Sequence, residues 1–198
     1  DAVVERAAVL GARLIVVGVN RDFSLRAILS GTRTEHILRA APCPVLIVKR
    51  RPREPYRNIV VALDLEAASR YALEFALREF PAARLTVIHS GGGSKGTKKR
   101  NTASIVKDIV AARCVAAGHR LPGAMGGPDV VFLADSPPSA LYDEIVGREA
   151  DLAVVGTHGR TGMSRLFIGS VAQTLLETLP CDTLIARGPS VADEQQSS

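Results

Sequence analysis

The chain has 198 residues, a formal net charge of +5 and 46% hydrophobic residues, enough for one globular domain with added material or for two small ones. No apolar run reaches the roughly 18 residues of a membrane span, and Asp1-Ala2-Val3-Val4-Glu5-Arg6 has neither an initiator Met nor a signal-peptide layout, so a fragment or processed form in the cytoplasm is expected. Three cysteines without metal or disulfide spacing fit a reducing compartment, and scattered basic residues with only 4% aromatics read as a solvated surface rather than a nucleic-acid site.

The first strong signal is the apolar strand Leu14-Ile15-Val16-Val17-Gly18. Gly31-Thr32 follows, then Pro42-Cys43 and a second strand, Pro44-Val45-Leu46-Ile47-Val48. Residues 50–56, with Pro52 and Pro55, read as a linker. Asn58-Ile59-Val60-Val61-Ala62-Leu63 is a continuous apolar run, the mark of a strand buried on both faces. The spacing of Tyr71, Leu73, Phe75, Ala76 and Leu77 predicts a helix over 69–80, which Pro81 follows. Next come a strand over 84–89, a glycine- and lysine-rich loop over 90–100, a helix over 102–117, a strand over 130–133 and a helix over 138–149. Leu152-Ala153-Val154-Val155 is a fourth strand that runs into a glycine loop. A helix over 170–178 and a strand over 183–186 close the series, and 189–198 reads as a disordered tail. Strands alternating with helices predict right-handed crossovers and a parallel sheet covered on both faces.

The chain repeats itself. Leu14–Gly18 matches Leu152–Gly156, and Gly31-Thr32 matches Gly169-Ser170, at one offset of 138 positions (156 − 18 and 169 − 31). The same offset lays Pro42-Cys43 on Pro180-Cys181 and Leu46-Ile47 on Leu184-Ile185. The second copy is preceded by a long segment with its own strands and helices, whereas the first has about a dozen residues before its strand. Residues 1–49 are therefore expected to be the C-terminal half of a unit of which 57–188 is a complete example.

The loop after the fourth strand has the form G-x2-G-x9-G-S, from Gly156 through Gly159 to Gly169-Ser170. Glycine admits close approach of backbone to an anion, and a helix beginning near Gly169 presents unpaired N–H groups with the positive end of its dipole. The pattern is neither a P-loop nor a dinucleotide fingerprint. On spacing alone, a phosphate loop and an ordinary strand–helix connection both fit.

With the strand order and the loop together, the chain resembles the universal stress protein family, in particular a tandem member with a truncated first domain. The carrying residues are Ile59–Asp64, Ala150–Val155 and Gly156 through Ser170. The resemblance implies an open five-stranded parallel sheet in the order 3-2-1-4-5, a Rossmann-like fold of the adenine-nucleotide-hydrolase type, with ligand bound where the order reverses. It further implies that Asp64 contacts the sugar and adenine end, that Ala62, Leu63 and Ser90 approach the base, and that Gly156, Gly159, Gly169, Ser170 and Val171 line the ribose and phosphates. Ser90 departs from the valine common at its position. Arg160 either pairs with a phosphate or faces solvent. The expected ligand is ATP, with AMP or a cyclic nucleotide as alternatives, and Mg2+ held by the phosphates rather than by protein.

In the first copy Arg21 replaces the middle glycine, so no nucleotide is expected there. The family resemblance implies instead that Pro44–Val48 pairs with 183–186, either within the chain or in a homodimer, and so covers an apolar edge. His158 reads as loop-structuring rather than as a general base, and His36, His89 and His119 have no metal spacing. Cys43 and Cys181 occupy equivalent positions and read as packing residues. The expectation is a nucleotide-binding regulatory protein with an unknown protein partner, at most a slow ATPase. The alternatives are an assembly module without nucleotide and an adenylating enzyme. For the latter, the Asp64-Leu65-Glu66-Ala67 turn lacks the usual phosphate loop after strand 1.

Overall fold

Every apolar run named above becomes a strand of one sheet. A computed structural model describes residues 1–19, 33–51, 54–91, 97–134, 138–157 and 169–187. Its elements are α1 (Ala2–Val9), β1 (Ile15–Gly18), α2 (Arg33–Ala40), β2 (Val45–Val48), β3 (Asn58–Leu63), α3 (Ala67–Glu79) and β4 (Arg84–Gly91). They continue with α4 (Thr97–Ala116), β5 (Asp129–Ala134), α5 (Pro138–Gly147), β6 (Leu152–Thr157), α6 (Ser170–Thr178) and β7 (Asp182–Arg187).

The sheet order is β1-β2-β7-β6-β3-β4-β5. Its last five strands reproduce the order 3-2-1-4-5 expected for 57–188, all parallel. The sheet differs in detail from the five-stranded one expected, because the first copy joins it. β1 and β2 extend the same sheet to seven strands, and β2 runs antiparallel to β7. Both meeting strands are apolar and would otherwise be open edges, so their pairing satisfies the backbone of each.

The offset of 138 now acquires a geometry. It carries α1 onto α5, β1 onto β6, α2 onto α6 and β2 onto β7. Leu46 pairs with Leu184, its own counterpart, while Val45 pairs with Ile185 and Ile47 with Thr183. Pairs exchanged about a self-paired centre are what a two-fold axis produces. That pseudo-two-fold axis passes between Leu46 and Leu184, inside a single chain.

Helices cover the sheet on both faces. α3 and α4 pack Leu73, Leu77, Val106 and Val110 against Val61, Val87, Val154 and Leu184. On the opposite face α1, α2, α5 and α6 pack Ala7, Leu38, Ile145 and Leu175 against Ile15, Ile47, Val155 and Ile185. α4 begins five residues before the predicted start, because Thr97-Lys98-Lys99-Arg100 continues the helix rather than belonging to the loop. Lysine and arginine are good helix formers, and their charge had concealed that propensity. α1, capped by Asp1 through a 3.0 Å bond to the Val3 N–H, was not anticipated.

The segment joining the two copies is anchored on Asp182, which is only 4% exposed. Its carboxylate accepts the N–H groups of Lys49 at 2.7 Å and Arg50 at 3.0 Å, and the Tyr56 hydroxyl at 2.7 Å. Burial pushes the Tyr56 phenol well above its usual range, and the Asp182 carboxylate adds to that shift. The Lys49 ammonium donates to the carbonyls of Leu176 at 2.8 Å and Leu179 at 3.0 Å, at the end of α6. Burial lowers its pKa from 10.5 to about 8, against the pull of the neighbouring Cys181 and Asp182.

Two outcomes test this junction. Leu184→Ala, at a fully buried position, is expected to cost about 2–5 kcal/mol in urea unfolding; an unchanged midpoint would remove the β2–β7 seam from the core. The folded pKa of Lys49 lies below its unfolded value, so above about pH 8 the unfolded chain binds more protons and stability rises with pH. Unfolding free energy measured between about pH 8 and 10 should rise in the parent chain and lose that component in Lys49→Met.

Candidate functional site

β3 and β6 lie side by side at the centre of the sheet, with Ala62 opposite Val155. β3 leads to α3 on one face and β6 leads towards α6 on the other, as the two core clusters show. The order of strands reverses here, and in open α/β sheets ligands bind beyond the carboxyl ends at such a point. Asp64 leaves β3 at this end and Gly156 lies near the end of β6.

Asp64 is fixed by the turn that follows it. One carboxylate oxygen accepts the Glu66 N–H at 3.1 Å, the closure expected when aspartate starts a turn. The Asp64 N–H donates to Ser69 Oγ at 3.3 Å, and that hydroxyl donates to the Glu66 carbonyl at 3.0 Å. Between them Leu65 is held at φ 71°, in the left-handed region that non-glycine residues rarely occupy. The Arg70 guanidinium donates to the Leu65 carbonyl at 2.9 Å. A strained residue beside an acidic side chain at a switch point is where such strain tends to concentrate.

Gly156 has a packing requirement independent of any ligand. A Cβ placed on it would lie 2.4 Å from the Ser69 nitrogen and 2.6 Å from the Ala68 carbonyl carbon. The end of β6 therefore touches the first turn of α3 backbone to backbone. Ser69 is 2% exposed and thus serves both pieces of the site, stabilising the Asp64 turn and receiving Gly156. Sequence reasoning missed Ser69. Its only signal is its place five residues after Asp64, which gains meaning once α3 is known to begin between them.

His89 was read as having no metal role, and the structure gives it a structural one. Its Nδ1 lies 2.7 Å from the Leu63 carbonyl on the neighbouring strand. A carbonyl only accepts, so Nδ1 carries the proton and Nε2 is the basic nitrogen. Nε2 is buried with no partner among the described residues. Leu63, whose backbone was expected to approach the base, thus has its carbonyl engaged by this ring.

The remaining predicted residues divide between the faces. Strand alternation sets Ala62 and Ser90 on the face carrying α5 and α6, and both are half-buried. Leu63 and Gly156 lie on the α3 face. α6 opens at Ser170 after its N-cap Gly169, which has no side chain to cap the helix, and Ser170 and Val171 are exposed in its first turn. Ala62, Ser90 and the start of α6 thus belong to one face. Gly159, Arg160 and His158 lie outside the described residues, as do Arg21 and Gly31. Two shallow concavities lie elsewhere, one lined by Asn58, Arg84 and Arg148 at the amino ends of strands, the other by Arg50, Ile145 and Cys181. Neither includes the crevice residues. Among the described residues no cluster of three or more His, Cys, Asp or Glu could hold a metal, and no helix is long and apolar enough to cross a membrane.

A family model described as the universal stress protein family matches residues 1–49 and 55–187. The chain belongs to the universal stress protein family. It is 28% identical over 191 residues to a universal stress protein of Mycobacterium bovis, covering 89% of this chain and 59% of that relative. The chain thus spans about three fifths of the length of the curated relatives it matches. Among solved structures, a functionally unknown protein from Pseudomonas aeruginosa PAO1 aligns at TM-score 0.67 and 19% identity, covering 99% of this chain and 70% of that one. A universal stress protein in complex with cAMP aligns at TM-score 0.53 and 23% identity, covering 68% of this chain and 99% of that one. These likenesses establish the fold.

The contact at Gly156 sets a test in this universal stress protein domain. Gly156→Ala is expected to cost about 1–3 kcal/mol in urea unfolding, because backbone on both sides must shift. A substitution without cost would mean that β6 and α3 do not touch as described.

Proposed function

We propose that this universal stress protein binds an adenine nucleotide in the crevice between β3 and β6, and that occupancy alters the surface shown to a protein partner. The observation that carries this reading is the switch point itself, where β3 ending beside Asp64 and β6 ending near Gly156 lie side by side. The family membership supports it, and so does the fold shared with a family member in complex with cAMP. The nucleotide is ATP in the leading reading, with AMP or a cyclic nucleotide as competing ligands.

The chain's groups suit such a ligand. The first turn of α6 offers N–H groups without a side-chain cap, suited to a phosphate at the positive end of the helix. The hydroxyl of Ser170 adds a donor there. Asp64, fixed by the Glu66 N–H, suits ribose hydroxyls, which donate to a carboxylate. The small side chains of Ala62 and Ser90 leave room on the same face for a flat base. Mg2+, held by the phosphates, would neutralise their charge. The proposed role is binding and regulation rather than rapid turnover. An assembly module without nucleotide is the second reading, and the two-fold seam at Leu46 and Leu184 favours it.

Isothermal titration with ATP and Mg2+, repeated with AMP and cAMP, tests the first reading. Asp64→Asn keeps an oxygen for the Glu66 N–H but removes the charge, and should weaken nucleotide binding at least about tenfold, or 1.4 kcal/mol, with little change in unfolding. Absence of heat with all three nucleotides would leave the assembly reading.

A further inference from the structure

Each half of the chain reaches across the seam to close a helix of the other. The Lys49 ammonium, just past β2, donates to the Leu176 carbonyl at 2.8 Å and the Leu179 carbonyl at 3.0 Å, at the end of α6. The offset of 138 makes its counterpart Arg187, the last residue of β7, whose guanidinium donates to the Arg39 carbonyl at the end of α2. The two clamps are thus related by the same pseudo-two-fold as the strands. A basic group at a helix C-terminus satisfies carbonyls that lack a donor and meets the negative end of the dipole. α6 depends on that donor, because the residue four after Leu176 is Pro180, which has no N–H to give.

The clamps differ in chemistry. A guanidinium stays charged and offers no lone pair. An amine offers one once it is neutral, and burial lowers the pKa of Lys49 to about 8, against the pull of Cys181 and Asp182. Lys49 is half-buried. The two N–H groups of its neutral amine suffice for the two carbonyls, so the lone pair points away from both. Cys181 is 1% exposed and burial pushes its thiol up, which leaves the amine as the nucleophile of this corner. Arg50 brings a second cation to the same turn. Its Nε donates to the Pro180 carbonyl at 2.9 Å, one residue beyond Leu179. The side chain is exposed, and among the described residues its terminal nitrogens meet no carboxylate, so they suit an anion.

We propose that Lys49 is an acylation site whose donor is an acyl phosphate, and that acylation unlatches the end of α6. The Nζ lone pair adds to the acyl carbon, a C–N bond forms, and the C–O bond to phosphate breaks. Phosphate leaves with that electron pair beside the Arg50 guanidinium and takes up the proton that the nitrogen sheds. The product amide is uncharged and keeps a single N–H, so it serves one carbonyl of α6 where the amine served two. The clamp on α2 is untouched, because a guanidinium does not react in this way. One modification thus loosens one helix of a symmetric pair.

Acetyl phosphate added to the 198-residue chain is the probe. At about pH 7.5, a pKa of about 8 gives roughly 100-fold more neutral amine than an ordinary lysine has, and the lower basicity removes about tenfold of that in nucleophilicity. Peptide mass spectrometry should therefore find Lys49 acetylated about tenfold faster than Lys107, which is exposed on α4. Arg50→Gln should slow this reaction at least about threefold while leaving the rate with acetic anhydride, a neutral donor, unchanged. After acetylation the amides of 177–179 should exchange at least about fivefold faster, with those of 38–41 at their former rate. In Lys49→Arg the same treatment should leave 177–179 unmoved. Equal rates at Lys49 and Lys107 would overturn the proposal, as would an Arg50→Gln variant that slows neither donor or both alike. So would α6 amides that ignore acetylation, or that respond to it equally in Lys49→Arg.

Discussion

No side chain fits between the end of β6 and the first turn of α3, and the site depends on that constraint. Gly156 lets the two backbones touch at Ser69 and Ala68. Ser69 in turn accepts from Asp64 and donates to Glu66. One contact therefore sets both the seat of α3 on the sheet and the place of the acidic turn beside the end of β6. The glycine that opens the loop pattern is explained by helix packing before any ligand is invoked. Its partners later in the loop, Gly169 and Ser170, have another task, because they begin a helix whose first N–H groups have no side-chain cap.

The first half of the chain is covered differently. Where α3 covers β6 and β7, nothing described covers β1, and an apolar valine lies exposed at its centre. Hydrophobic residues exposed singly are ordinary. The seam between the halves is the opposite case. β2 and β7 are both fully engaged, with Asp182 tying Lys49, Arg50 and Tyr56 to the strand that begins at its own position. Among the described residues the seam is closed and the outer edge is open.

Much of the fold was legible in the residues. The run 58–63 is β3 to the residue, and 170–178 is α6, because continuous apolar patterning and a glycine before a helix are local signals. The start of α4 was misplaced because charge was read as loop, and α1 was overlooked in a segment too short to show a clear period. Of the candidate site residues, the places of Asp64 after a strand and of Gly169-Ser170 at a helix start were legible in the sequence. Ser69 and His89 were not, since the role of each lies in a bond to backbone from another element or turn.

By itself the sequence determined the alternation of strands and helices, the internal offset of 138 and the family, since all three are written in residue order and spacing. Only the tertiary structure decided that the two copies share one sheet, with β2 antiparallel to β7 about Leu46 and Leu184. It alone distinguished Gly156, pressed against α3, from Gly18, where a Cβ would meet nothing within 4 Å. The two glycines are the same letter in the same local pattern. What separates them is the proximity of chain distant in sequence, and a one-dimensional record does not contain it.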